Sequence, residues 1–135
     1  MNRVEIDPVW LMHVQKPARY VGGEWNSVMK NHADVDVKVA LVFPDVYEVG
    51  MSHLGLKIIY SVINSRKDAL AERVYTPWVD MEKMMRERNI PLYALESKAP
   101  IKDFDVLGFT MPYEMCYTNI LNMIDLSGIL SLIHI

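Results

Sequence analysis

The feature that most constrains this chain is Val37-Lys38-Val39-Ala40-Leu41-Val42-Phe43, a near-continuous apolar run that stops at Pro44-Asp45. Strict alternation would mark a strand with one wet face. A continuous run marks a strand covered on both faces, the condition of a central strand in a parallel sheet. The residues beyond Asp45 keep the same rhythm. Leu54, Ile58, Ile59, Val62 and Ile63 fall on one helical stripe, of the kind a globular helix turns to its core. They predict a helix from Ser52 or His53 to about Ser65, with Ser52 as the N-cap. Arg73-Val74-Tyr75 predicts a short second strand. Asp80 is expected to cap a charged helix from Met81 to about Asn89, with Met81, Met84 and Met85 facing inward. Pro91 to Leu95 reads as a third strand or strand-like segment, and Asp105 to Met111 as another buried strand. A last helix is expected from about Tyr117 to Leu126, with Gly128 as its C′ residue.

Apolar strands alternating with helices predict an α/β fold, a doubly wound flavodoxin- or Rossmann-like parallel sheet. About four strands are visible where such a domain usually has five or six, so the sheet is expected to be incomplete at its C-terminal side. In sheets of this kind ligands bind outside the carboxyl ends of the strands. The loops after Phe43 and after Met111 therefore carry the functional weight.

Residues 1–35 read differently. Asp7-Pro8 is a helix start, an N-cap followed by proline, with Val9, Trp10, Met12 and His13 in a short helix. The KPARYVGGEWN stretch after it is an irregular arm, read as a lid over one edge of the 36–129 domain rather than a ligand-contact segment. At the other end, Leu130 to Ile135 spell LSLIHI, uncapped and uncharged. That string matches an in-frame translation of the transposon end used in library preparation, and 130–135 are expected to be non-native.

Composition excludes several function classes. The formal net charge is −3 with acids and bases interleaved, so no basic stripe points to nucleic acid. No apolar stretch approaches the roughly 20 residues of a membrane helix, and the first residues lack a signal-peptide pattern. A cytoplasmic location is the expectation. Cys116 is the single cysteine, so the chain builds neither an internal disulfide nor a cysteine metal cage. Cys116 itself reads as a small buried hydrophobe, His13 and His32 as surface or packing residues, and Lys83, Arg86, Glu87 and Arg88 as a solvated helix face.

The first loop, PDVYEVGMSHLG, offers an acid, glycines that let backbone approach a ligand, and a helix N-terminus that can receive an anion. It carries neither a G-x-G-x-x-G fingerprint nor a phosphate-loop G-K-[ST]. Taken alone, Asp45 is a turn residue or helix cap before it is a catalytic acid.

The stretches KPARYVGGEWN, LVFPDVYEVGMSHLGLKIIY, PLYALESK and FDVLGFTMPYEMCYTNILNMIDLSGI together resemble the N-terminal, cobalamin-binding-type domain of a family of radical SAM proteins. The likeness runs from about Gln15 to Ile129. Cobalamin-binding domains carry D-x-H-x-x-G in this loop, and here Asp45, Tyr47 and Gly50 stand at those spacings, with tyrosine in place of the cobalt-ligating histidine. His53 lies on the first helical turn, displaced from the ligand position. The resemblance implies a cobalamin pocket without that histidine, lined by Gly50 and Gly55 beside Ser52 and His53. Thr110 echoes the later S-x-L element, with Pro112 where the leucine would stand. It also implies a radical SAM barrel in cis, carrying the [4Fe–4S] cluster and S-adenosylmethionine. Such a cluster needs three cysteine ligands, which this chain does not have. Two readings stay open here: a cofactor-binding front domain, and an α/β docking module without a cofactor. A receiver domain is disfavoured, because Met111-Pro112 is no phosphoacceptor site.

Overall fold

The computed structural model describes residues 3–129. After the cap Asp7, whose Oδ1 accepts from the Val9 amide at 2.8 Å, α1 spans Pro8–Leu11 and α2 spans Ala18–Val21. The regular alternation then begins: β1 (Val37–Phe43), α3 (Tyr47–Gly50), α4 (Leu54–Ser65), β2 (Ala69–Tyr75), α5 (Val79–Arg88), β3 (Val106–Phe109) and α6 (Cys116–Leu126). The three strands form one parallel sheet in the order β2-β1-β3, in register from Val37–Ala69 to Phe43–Tyr75 and from Val39–Val106 to Val42–Phe109. This open, all-parallel sheet with helices on both faces is the expected doubly wound class, in an incomplete Rossmann-like form. β1 is central, as its apolar run requires. Among the described residues no helix is long and apolar enough to cross a membrane. The tail read as non-native, 130–135, lies outside the described residues.

The two faces of the sheet divide the core. Leu41, Phe43, Ala71 and Tyr75 pack with Leu56 and Tyr60 of α4. Ala40, Val42 and Val74 pack with Met81 and Met85 of α5 and Met123 and Leu126 of α6. The inward methionines of α5 are thus where their spacing put them, and Gly128, at φ 65°, follows α6 as its C′ residue.

Other expectations are corrected. Most of the stripe of α4 that the spacing assigned to the core faces solvent: Leu54, Ile58, Ile59 and Val62 are 69%, 54%, 49% and 61% exposed, and Ile63 alone packs inward as expected. Leu56 and Tyr60, which that stripe left out, turn inward beside it. That face also carries the polar groups the fold needs. Tyr60 Oη accepts from the Val28 amide at 2.7 Å, while Asn64 donates to the Ala71 carbonyl (2.9 Å) and accepts from the Ala71 amide (3.0 Å). Leaving each of those backbone groups buried and unpaired would cost about 1–3 kcal/mol, which offsets what the aliphatic side chains lose by staying in solvent. The cap of α4 is His53, whose Nδ1 accepts from the Leu56 amide at 3.2 Å, not Ser52, whose hydroxyl turns back to the Val49 carbonyl at 2.9 Å.

Trp78, not Asp80, stands at the N-cap of α5; the Asp80 carboxylate lies inside the first turn and accepts from the Gln15 amide at 2.6 Å, so the incoming arm claims it. β2 begins four residues before Arg73 and is buried throughout. Pro91 to Leu95 is strand-like, making one antiparallel bridge from Tyr93 to Pro100 and running along the outer edge of β2. β3 is shorter than expected and not buried, with Val106 48% exposed, because nothing among the described residues pairs with its outer edge. Among the described residues three strands are therefore present rather than four.

Candidate functional site

The carboxyl ends of β1 and β2 meet the arm, and that junction holds Asp45, Tyr47 and Gly50 of the residues singled out by sequence. Asp45 ties three elements together. Its Oδ1 accepts from the Val46 amide (2.7 Å), its Oδ2 from the Tyr113 hydroxyl beyond β3 (3.1 Å), and its carbonyl from the Thr76 amide beyond β2 (2.9 Å). The bond to Asp45 pushes the Tyr113 hydroxyl up to about 12. Tyr47 donates its hydroxyl to Glu24 of the arm and packs its ring edge-on against Tyr75, 5.4 Å between centroids. Burial, and then the Glu24 bond, push that hydroxyl up to about 12.

Gly50 is required by packing. A Cβ there would lie 2.4 Å from the Tyr75 ring and 3.0 Å from the Phe43 ring, so the glycine makes room for a core tyrosine. At Gly55 a Cβ would meet His53 Cε1 at 3.0 Å. The His53 ring packs 5.2 Å from Phe43 while its Nδ1 caps α4. Thr110 continues the β3 pairing through its amide to the Val42 carbonyl at 2.9 Å. Asp45, Tyr47 and Gly50 thus gather around the ends of β1 and β2. Ser52, His53 and Gly55 sit at the start of α4, and Thr110 at the end of β3.

Two charged clusters escaped the reading of the sequence. Arg73 lies buried on β2, its Nε bonded to Glu96 Oε1 at 2.6 Å, its Nη1 to Glu24 Oε2 at 2.5 Å, and its guanidinium 4.9 Å from the centre of the Tyr60 ring. Burial works against that charge, but Glu96 and Glu24 outweigh it and hold the guanidinium more firmly protonated than usual. On the opposite face of the strand, Glu72 accepts from the Ser97 hydroxyl (2.6 Å) and amide (3.1 Å) and meets His32 Nε2 at 2.6 Å. The visible signal was the pair Glu72-Arg73 inside an otherwise apolar strand, followed by Glu96-Ser97-Lys98 after Leu95. His32, read as a surface or packing residue, is a hydrogen-bonding partner of this cluster.

The arm is fastened by charge as well. Arg19 bonds Glu48 through Nε at 2.8 Å and Nη2 at 2.9 Å, and Lys16 adds a third contact at 2.9 Å. Arg19 first and Lys16 second hold the Glu48 carboxyl down at about 2. Lys98 donates to the Val21 and Leu95 carbonyls at 2.7 and 2.5 Å, and burial lowers its amine to about 8. Gly22, at φ 71°, passes so close to the Leu95 carbonyl that a Cβ would lie 2.5 Å from it.

In chemical terms the junction is closed: its acids are engaged by backbone amides or cations. At the position of the cobalt-ligating histidine, Tyr47 is committed to Glu24, and the nearby His53 is committed to the α4 cap. Among the described residues no group of three or more His, Cys, Asp or Glu is placed to hold a metal ion, and Cys116 is buried. No curated protein and no solved structure matches the chain. A family model described as radical SAM proteins, N-terminal, matches residues 55–134, more than half of the 135. The matched span begins in α4 and takes in β2, β3 and α6, the framework that positions this junction, so the chain belongs to the radical SAM N-terminal family.

Proposed function

We propose that this domain is a docking module of a radical SAM enzyme, packing against the catalytic barrel in cis and positioning it. The observation that carries this is α4. With Leu56 and Tyr60 in the core and Leu54, Ile58 and Val62 in solvent, the helix is apolar on both faces. Such a helix belongs between two layers, and among the described residues only one is in place. The edge of β3, unpaired among the described residues, and the exposed Tyr117 and Leu121 of α6 add further surface of the same character. The [4Fe–4S] cluster and S-adenosylmethionine belong, on this reading, to the barrel.

Hydroxyl-radical footprinting tests it. Leu54, Ile58 and Val62 are expected to be labelled in the isolated chain and protected in the full-length enzyme. Equal labelling in both would sink the docking assignment.

A second reading, a corrinoid-binding front domain, is favoured by the strand order. With β1 between β2 and β3, the crevice outside the carboxyl ends of β1 and β3 is the switch point at which such sheets take ligands, and Asp45 and Tyr113 face each other across it. Anaerobic titration with hydroxocobalamin, followed in the visible region, separates the two. A saturable spectral change lost in Asp45→Ala supports the corrinoid site, and an unchanged spectrum leaves the docking role alone.

A further inference from the structure

Three buried polar atoms have no hydrogen-bond partner among the described residues: Arg19 Nη1, Tyr75 Oη and Tyr93 Oη. They come from the arm, from the end of β2 and from the segment along its outer edge. All three side chains line one cavity of about 30 Å³, walled also by Tyr20, Tyr47 and Leu92. Tyr75 and Tyr93 are each more than nine-tenths buried. Buried polar groups are almost always paired, so three orphans around one void mean that the void has an occupant.

Size and charge identify it. A water needs roughly 10–15 Å³ of such space and two to four polar partners, so this cavity accommodates about two. A phosphate or carboxylate group with its attached ligand is too large. The guest also needs no charge, because Glu48 already matches the Arg19 guanidinium through Nε and Nη2. Water and phenol hydroxyls both donate and accept, so two waters can accept a hydrogen bond from Arg19 Nη1 and exchange hydrogen bonds with both phenols.

We propose that two ordered water molecules occupy this cavity and bridge Arg19, Tyr75 and Tyr93, latching the arm over the carboxyl end of β2. The latch is independent of what the domain docks against. It satisfies a guanidinium donor and two phenols that no side chain reaches.

A crystal structure of the full chain at a resolution that shows solvent should place two waters within about 3.2 Å of these three atoms. A dry cavity, direct pairing of the three side chains, or an ion in the density overturns the proposal. In solution, Tyr75→Phe and Tyr93→Phe should each speed tryptic cleavage after Arg19 by about tenfold, the factor expected when one bond of a buried bridge is lost. Tyr117→Phe, which removes an exposed phenol of α6, should leave the cleavage rate unchanged. Cleavage unaltered in both cavity variants overturns the latch.

Discussion

The two edges of the sheet are built in opposite ways. β2 has a seven-residue outer edge closed by side chains in succession. Lys30 Nζ donates to the Ala69 carbonyl at 2.6 Å, and Asn64 bonds both polar groups of Ala71. Glu96 accepts from the Arg73 amide at 2.8 Å, and the Leu95 amide donates to the Arg73 carbonyl at 2.8 Å. β3 has four residues and nothing on its outer side among the described residues. A closed edge prevents further pairing, whereas an open one is a template for it. The sheet is therefore finished on the β2 side, and β3 is the side on which a further element can add.

The largest expected effect lies at the closed edge. Arg73→Leu leaves Glu24 and Glu96 without their cation in a buried setting and should lower unfolding free energy by about 3–5 kcal/mol. Urea denaturation of the full chain measures it, and a loss below about 1 kcal/mol would mean that the network contributes little. Next comes Asn64→Ala, which strips two hydrogen bonds from Ala71 and should cost about 1–3 kcal/mol. It should also give β2 the exposed backbone that β3 already has, visible as concentration-dependent self-association in sedimentation. Its absence would show that the arm and α4 shield the edge without Asn64.

The attachment of the arm should respond to acid. The Glu48 carboxyl is depressed to about 2 from an ordinary 4.5, so its contribution is complete above about pH 4.5 and fades as pH falls toward 2. Arg19 stacks 5.3 Å from the centre of the Trp78 ring, so a change in tryptophan fluorescence across that window, lost in Glu48→Gln, reports arm release. The smallest effect belongs to the open edge. Val106→Lys should change stability by no more than about 0.5 kcal/mol, because the side chain it replaces is half in solvent. A large destabilisation there would mean that β3 is more buried in solution than this structure has it.

The same contrast explains what could be read from the chain. The central strand, the Asp7 cap, the inward methionines of α5 and the Gly128 stop are each marked by a pattern within a few residues, and each stands where that pattern put it. β2 was read as three residues because Ala69, Ala71 and Glu72 carry little apolar signal, although the strand is buried along its whole length. Its charges are tolerated there because Arg73 finds Glu96 twenty-three residues later and Glu24 forty-nine residues earlier. No window of local sequence contains those partners. In the first loop the spacing of Asp45, Tyr47 and Gly50 was plain, but not that Glu24 would occupy the tyrosine or that Tyr75 would fill the space beside the glycine.

By itself the sequence determined the alternation of strand and helix, the parallel class of the sheet and the lack of cysteines for an iron–sulfur cluster. Those come from periodicity and composition, which any segment carries with it. Tertiary structure alone decided which stripe of α4 turns inward and which edge of the sheet is closed. Both stripes of α4 are apolar enough to bury, so hydrophobicity did not separate them. The choice fell to the face whose Tyr60 and neighbouring Asn64 reach backbone groups on other segments, because those groups would otherwise be buried without a hydrogen-bond partner.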